Sequence, residues 1–237
     1  MRGSEHPIIS PSVEEKQFIL ERNLLVDRIT ELLWDHIVHG RIRPGTRLVE
    51  RQLADELGTS RVPVREALIQ LEKEGLIVSR PKGRYVIELS EEEIYKLYAV
   101  RRVLEKLAVE LAMQNTSPEY AQALENKVQE MQEAAARQDR GAYVRNDFEI
   151  HRLIWSQANN PYLLEVLRTL TGPITMFIAD NASHFSWEET LELHETLIDC
   201  INSGDVRAAL EAIDRHLDHG LRRSSEVFGN DSTASQK

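Results

Sequence analysis

Two arginines four residues apart, Arg61 and Arg65, open a segment of helical periodicity. That spacing puts both guanidinium groups on one helix face. A guanidinium there can grip guanine O6 and N7 at two points in the DNA major groove. Ser60, just ahead, could donate to a phosphate, and the amides of a helix start add to the same site. Arg51 stands one short helix earlier, where it could touch backbone or base. Lys82-Gly83-Arg84 forms a basic tip that would reach a phosphate or the minor groove, with glycine allowing close backbone approach.

A second group of residues could hold a metal. Asp147 and His151 are four apart and can point at one atom; His194 and His216 follow on two later helices. Three imidazoles and a carboxylate suit Zn²⁺, Ni²⁺ or Mn²⁺, and leave coordination positions open for water or a ligand carboxylate. A single Asp-x-x-x-His pair is common, however. His194 or His216 could equally be hydrogen-bonded bundle histidines, and His184 and His219 are nearby competitors. Arg101 could clamp a carboxylate bidentately, or it could pair with Glu105 at the helical i+4 spacing.

The elements that must position these groups can be read from the hydrophobic pattern. Leu25, Ile29, Leu32, Leu33 and Ile37 recur at helical spacing and stop at His39-Gly40. Pro44-Gly45 is a turn. Leu48, Leu53, Ala54 and Leu57 mark a short second helix ending at Gly58, and Thr59-Ser60 can cap a third. The third has an inner face of Val64, Ala67, Leu68 and Leu71, with Pro63 in its first turn, where a missing N–H costs nothing. Leu76–Val78 and Tyr85–Ile87 then read as two strands around the basic tip. Helix, turn, helix and hairpin together predict a winged helix-turn-helix. After Ser90, with Glu93 in capping-box position, the pattern is helical only, with six helices near 91–114, 118–138, 141–158, 161–181, 186–203 and 205–226. The predicted fold is mainly α: an N-terminal winged helix-turn-helix over 21–89 plus a C-terminal all-helical bundle over 90–228. A loose arm is expected at 1–20 and a flexible tail at 229–237.

The net charge of −10 looks unfavourable for a DNA-binding chain, but it is unevenly spread. Residues 91–237 hold 25 acidic against 15 basic groups, while 41–90 hold 10 basic against 7 acidic. Only the surface facing the phosphates matters to the DNA. The chain has no apolar run near the ~20 residues of a membrane span. Residues 1–12 lack the apolar core of a secretion signal. Its one cysteine, Cys200, precludes an internal disulfide. A cytoplasmic location without membrane contact is expected.

Gly40-x-Ile42-x-Pro44-Gly45-x-x-Leu48, followed by Leu53-Ala54-x-x-Leu57-Gly58-x-Ser60-Arg61-x-Pro63-Val64-Arg65-Glu66-Ala67-Leu68-x-x-Leu71-x-x-Glu74-Gly75-Leu76, resembles the head of GntR regulators almost throughout. Arg101-x-x-Leu104-Glu105, Asp147-x-x-x-His151, His194 with Gly204-Asp205 following, and His216 resemble the FadR-type C-terminal ligand-binding domain in its shorter, VanR-like six-helix form. The resemblance spans about residues 24–226. It implies a homodimer on a palindromic double-stranded operator, usually a repressor, controlled by a small effector that is often a carboxylate. Arg51, Ser60, Arg61, Arg65 and Gly83 match positions that contact DNA in the family, and Lys82 joins them as the basic wing residue. Asp147, His151, His194 and His216 match its metal ligands, and Arg101 becomes the candidate effector contact. Thr59 departs from the usual valine, and the wing has one glycine where the family is richer.

Two other readings compete. A metal-dependent hydrolytic enzyme could use the same ligands but would need a general base, for which Glu149 and Glu195 are only sequence neighbours. Alternatively the metal could be purely structural. No enzymatic activity is expected.

Overall fold

The protein is described by a computed structural model over residues 13–181 and 187–234, with side chains over 20–178 and 187–222. His184, one of the competing histidines, lies outside the described residues.

The head comprises α1 (Val13–Val38), β1 (Arg47–Leu48), α2 (Glu50–Glu56), α3 (Arg61–Lys73), β2 (Ile77–Arg80) and β3 (Gly83–Val86). Its core is built from Val26, Ile29, Leu33 and Ile37 of α1 against Val64, Ala67, Leu68 and Leu71 of α3. Removing these side chains from water supplies the main drive for a unit this small, about 1.5–3 kcal/mol for each large aliphatic group fully buried. Leu25 and Leu32, expected on the inner face of α1, are exposed, and Val26 takes the inward position. The helix is rotated from the expected face because 26, 29, 33 and 37 make the tighter i, i+3, i+7, i+11 stripe. Its backbone also begins earlier than expected, at Val13, inside the stretch read as a loose arm.

The wing is a three-stranded antiparallel sheet in the order β1-β3-β2, with Arg80 opposite Gly83 at its tip and Arg47 opposite Tyr85. The sequence pattern gave no sign of β1, since two residues carry no periodicity.

Among the described residues six helices follow: α4 (Glu91–Met113), α5 (Pro118–Ala136), α6 (Arg140–Gln157), α7 (Pro161–Asn181), α8 (Trp187–Ser203) and α9 (Val206–Ala234). Ser90 and Glu93 form the expected reciprocal capping box at the start of α4. Helix α9 runs past Phe228, where fraying was expected, to Ala234. No helix among the described residues is long and apolar enough to cross a membrane.

The two parts touch closely where α7 meets the end of α3. The Gly172 amide donates to the Glu74 carbonyl at 2.7 Å. A Cβ on Gly172 would sit 2.2 Å from the Gly75 carbonyl carbon, so only glycine fits. Pro173 inside α7 has no N–H for the Thr169 carbonyl, which lies 2.6 Å from where a Gly75 Cβ would be. Met176 of α7 completes the core of the head, and Val38 of α1 packs with Val144, Phe148 and Ile174. The Arg145 guanidinium lies 4.7 Å from the Trp34 ring centroid.

Candidate metal pocket and DNA-reading surface

In the helical part the candidate ligands come from three amphipathic helices. On α6 the stripe Val144, Asp147, Ile150, His151 and Ile154 turns inward. On α8 the stripe is His194, Leu197, Ile198 and Ile201. On α9 Ala209, Ala212, Ile213, His216 and Leu217 are buried. Each histidine therefore occupies a position that hydrophobic periodicity would assign to an apolar residue, and packing forces all of them into one interior.

There Asp147, His151, His194 and His216 offer ligand atoms that all lie within 4.8 Å of one another, and all four residues are buried. His194 Nε2 is 3.3 Å from Asp147 Oδ1, and His151 Nε2 is 3.1 Å from His216 Nε2. Asp147 Oδ2, His194 Nε2 and His216 Nδ1 are buried without a hydrogen-bond partner. Orphaned polar atoms at such density are costly, about 1–3 kcal/mol each. Two imidazole lone pairs about 3 Å apart also repel unless a proton or a cation lies between them. Ligand bonds of about 2.0–2.2 Å to a zinc-sized ion would place ligand atoms at separations of this order. The residues fit a divalent ion.

The surrounding hydrogen bonds prepare the rings for that task. His194 Nδ1 donates to the Thr190 carbonyl at 2.8 Å, turning Nε2 inward as the acceptor. His151 Nδ1 donates to Glu105 at 3.2 Å and likewise turns Nε2 inward. Burial lowers the pKa of His194, and it lowers that of His216 well below the usual range with help from the facing His194 and His151. Both rings are thereby kept neutral, the form in which imidazole ligates.

Glu105 is a hub that the sequence did not reveal as such. Fully buried, it accepts from Arg101 Nε at 2.9 Å, from His151 Nδ1 and from Trp155 Nε1 at 2.7 Å. Burial alone would raise its pKa, but the nearby His151 and the Arg101 guanidinium, with the hydrogen bonds from His151 and Trp155, hold it at about 2. Arg101 thus does form the ion pair with Glu105, and it also faces a cavity of about 40 Å³ walled by Tyr98, Tyr143, Asp147, Trp187 and His216. Its Nη2 lies 3.3 Å from His151 Nε2, the lone pair that an ion would take, so that contact and an ion compete. His219 lines the same cavity but is not among the four converging ligands. The two residues weighed as a general base are elsewhere: Glu149 pairs with Arg152, and Glu195 accepts from Gln132.

On the head, α2, the start of α3 and the wing enclose a groove of about 590 Å³. Arg51, Arg61, Arg65 and Gly83 line it, together with Arg47, Arg80 and Arg84. Ser60 caps α3 by position, yet its side chain makes no capping bond. Lys82 is exposed beside Gly83, whose φ of 135° suits glycine. Arg80 belongs to the basic hairpin tip, whereas Arg47 was not anticipated. Arg47 owes its place to β1, which pairs it opposite the wing. One carboxylate, Glu50, lies among them: Arg65 Nε and Nη2 bind it at 3.1 and 2.9 Å, Arg84 Nη1 at 2.9 Å, and Arg61 Nη2 lies at 3.6 Å.

Residues 25–87 match the family model of bacterial regulatory proteins, gntR family, and residues 96–219 match the FCD domain. The chain belongs to the GntR family. This GntR-family chain is 28% identical over 218 residues to the probable D-xylose utilization operon transcriptional repressor of Paenarthrobacter nicotinovorans, covering 92% of this chain and 96% of that one. It is 29% identical to the gluconate operon transcriptional repressor of Bacillus licheniformis, over 77% of each. Among solved structures, Escherichia coli McbR/YncC shares the fold with a TM-score of 0.74 at 22% identity, over 86% of this chain and 98% of that one. A GntR family regulator from Pseudomonas syringae aligns at 26% identity and a TM-score of 0.55, over 90% of each chain. The protein is accordingly a DNA-binding transcription regulator of the winged helix-turn-helix and FCD type.

Proposed function

We propose that this regulator is a homodimeric repressor whose operator binding is set by a small carboxylate held at a metal-containing pocket in its helical domain. The observation that carries the reading is the convergence of four buried ligand atoms, several without partners, beside a cavity that Arg101 also faces. Asp147, His151, His194 and His216 would hold the ion. A divalent cation there supplies a positive centre for an anion in an otherwise apolar interior. Arg101, anchored through Nε by Glu105, would turn its Nη groups to the same anion once an ion takes the His151 lone pair from Nη2. Helix α6 links the pocket to the head: Asp147 and His151 face the pocket, while Val144, Arg145 and Phe148 meet α1 and α7. An effector that binds one placement of α6 better than another shifts the spacing of two heads over their half-sites. Arg61 and Arg65 read bases, while Arg51, Ser60, Lys82 and Gly83 hold the phosphates.

The test is metal analysis of purified wild type and His194→Ala, with unfolding temperatures before and after chelation. Wild type should retain about one equivalent of divalent metal and lose thermal stability on chelation. His194→Ala should hold much less and respond little. Full occupancy in His194→Ala removes that residue from the site.

A further inference from the structure

Glu50 stands where a DNA-binding face should least want a carboxylate. It is the first residue of α2, where the positive end of the helix favours an acid. That alone does not explain the three arginines gathered on it from two further elements: Arg61 and Arg65 from α3, and Arg84 from β3. Arg84 is pinned a second time, its Nε donating to Glu72 at 3.2 Å. The Glu50 side chain is only 18% exposed, whereas that of Arg65 is 52% exposed, so the acid lies beneath the bases. Its pKa is lowered chiefly by the hydrogen bond from Arg65.

The geometry of the Arg65 pair matters most. Glu50 takes the side edge of the guanidinium, Nε and Nη2. A guanidinium has five N–H donors, so this grip leaves Nη1 and the outer hydrogen of Nη2 as an end-on fork. That fork is the pair of donors that matches guanine O6 and N7. Glu50 and a guanine can therefore hold Arg65 at the same time.

We propose that Glu50 is a positioning residue that sets the sequence specificity of this head. It holds the Arg65 fork, and through charge Arg61, in the orientation that reads guanine, and its negative charge weakens binding to phosphate backbone that offers no matching base. A guanidinium released from Glu50 would swing freely and settle on any phosphate. Base reading would weaken and nonspecific binding would strengthen, because that binding follows the number of phosphate-neutralising charges.

The test uses the full-length protein and needs no known operator. Wild type and Glu50→Gln are each put through selection from a random-sequence duplex library. Both are then titrated against the best wild-type duplex and a scrambled duplex of equal length at several salt concentrations, with thermal unfolding as the fold control. Expected for Glu50→Gln are a motif with weaker guanine preference, tighter binding to the scrambled duplex, a fall of tenfold or more in the specific-to-scrambled ratio, and a salt dependence steeper by about one ion. An unchanged motif and ratio in folded protein overturns the proposal, and so does a loss of affinity that is equal on both duplexes. If Glu50→Gln does not fold, Glu50→Asp decides. It keeps the charge but withdraws the carboxylate by one methylene, so the ratio should fall with an unchanged salt slope. A retained ratio in Glu50→Asp overturns the positioning role.

Discussion

The molecule contains two carboxylate hubs that differ mainly in their access to water. Glu105 is buried and collects Arg101, His151 and Trp155; Glu50 lies near the surface and collects Arg61, Arg65 and Arg84. A buried charge that loses its partner has no solvent to turn to, so the Glu105 hub is a permanent fixture. Near the surface, water and salt replace a lost partner cheaply, so the arginines on Glu50 can be shared with a passing ligand. The same chemistry thus fixes ligand rings in one place and presents reading groups in the other.

The strongest way to break this comparison is to make the same substitution at both hubs. Glu105→Gln should cost about 3–5 kcal/mol in denaturant unfolding, because Arg101 is left buried without its counter-charge. Glu50→Gln should leave unfolding nearly unchanged while altering DNA selection. Similar stability losses at the two sites would show that burial does not separate them.

Next in size is the joint between the two parts. Gly172→Ala places a methyl against the backbone of Gly75 and Leu76, which cannot rotate aside. Overpacking of this kind costs about 1–3 kcal/mol. Proteolysis should in addition separate head from bundle more readily than in wild type. A variant as stable and as protease-resistant as wild type would mean that the contact is not maintained in solution.

Arg61→Ala should weaken specific DNA binding by about 1–3 kcal/mol. Its melting temperature should stay close to wild type, since exposed substitutions usually shift stability by under about 0.5 kcal/mol. Equal losses on specific and scrambled duplexes would reassign Arg61 from base to phosphate.

The smallest effect is the acid limb of stability. Glu50 has a lowered folded-state pKa, so its ion pairs stabilise the head fully above the unfolded carboxylate value of about 4.3 and are lost as pH falls through the folded value. Glu50→Gln should therefore flatten the stability profile only below about pH 5. An acid limb as steep in Glu50→Gln as in wild type would contradict the assignment.

Much of this architecture was legible in the sequence, and the misses share a cause. Helices α4 to α9 could be placed because each carries a long apolar stripe with a clear cap or break, such as Ser90, Ser117-Pro118 and Gly204. The convergence of Asp147, His151, His194 and His216 could be anticipated as well, since the resemblance supplied order and spacing that Asp147-x-x-x-His151 alone lacks. What could not be read required several distant elements at once. Sequence spacing relates Arg101 to Glu105 but says nothing of Trp155, fifty residues away, donating to the same oxygen as His151. Glu50 reads as an ordinary helix-start acid until α3 and β3 fold onto it. Gly172 looks like a weak point in a helix, and its reason appears only when Gly75 arrives beside it.

The central claim is that the pocket at Asp147, His151, His194 and His216 controls the head. It is tested most directly by fluorescence anisotropy on DNA from upstream of the protein's own gene, titrating small carboxylates into metal-loaded wild type and His194→Ala. Salt-sensitive binding by both proteins is expected, with an acid that changes the affinity of wild type alone. An acid that acts equally on His194→Ala would contradict it, as would binding by wild type that no acid in the panel alters.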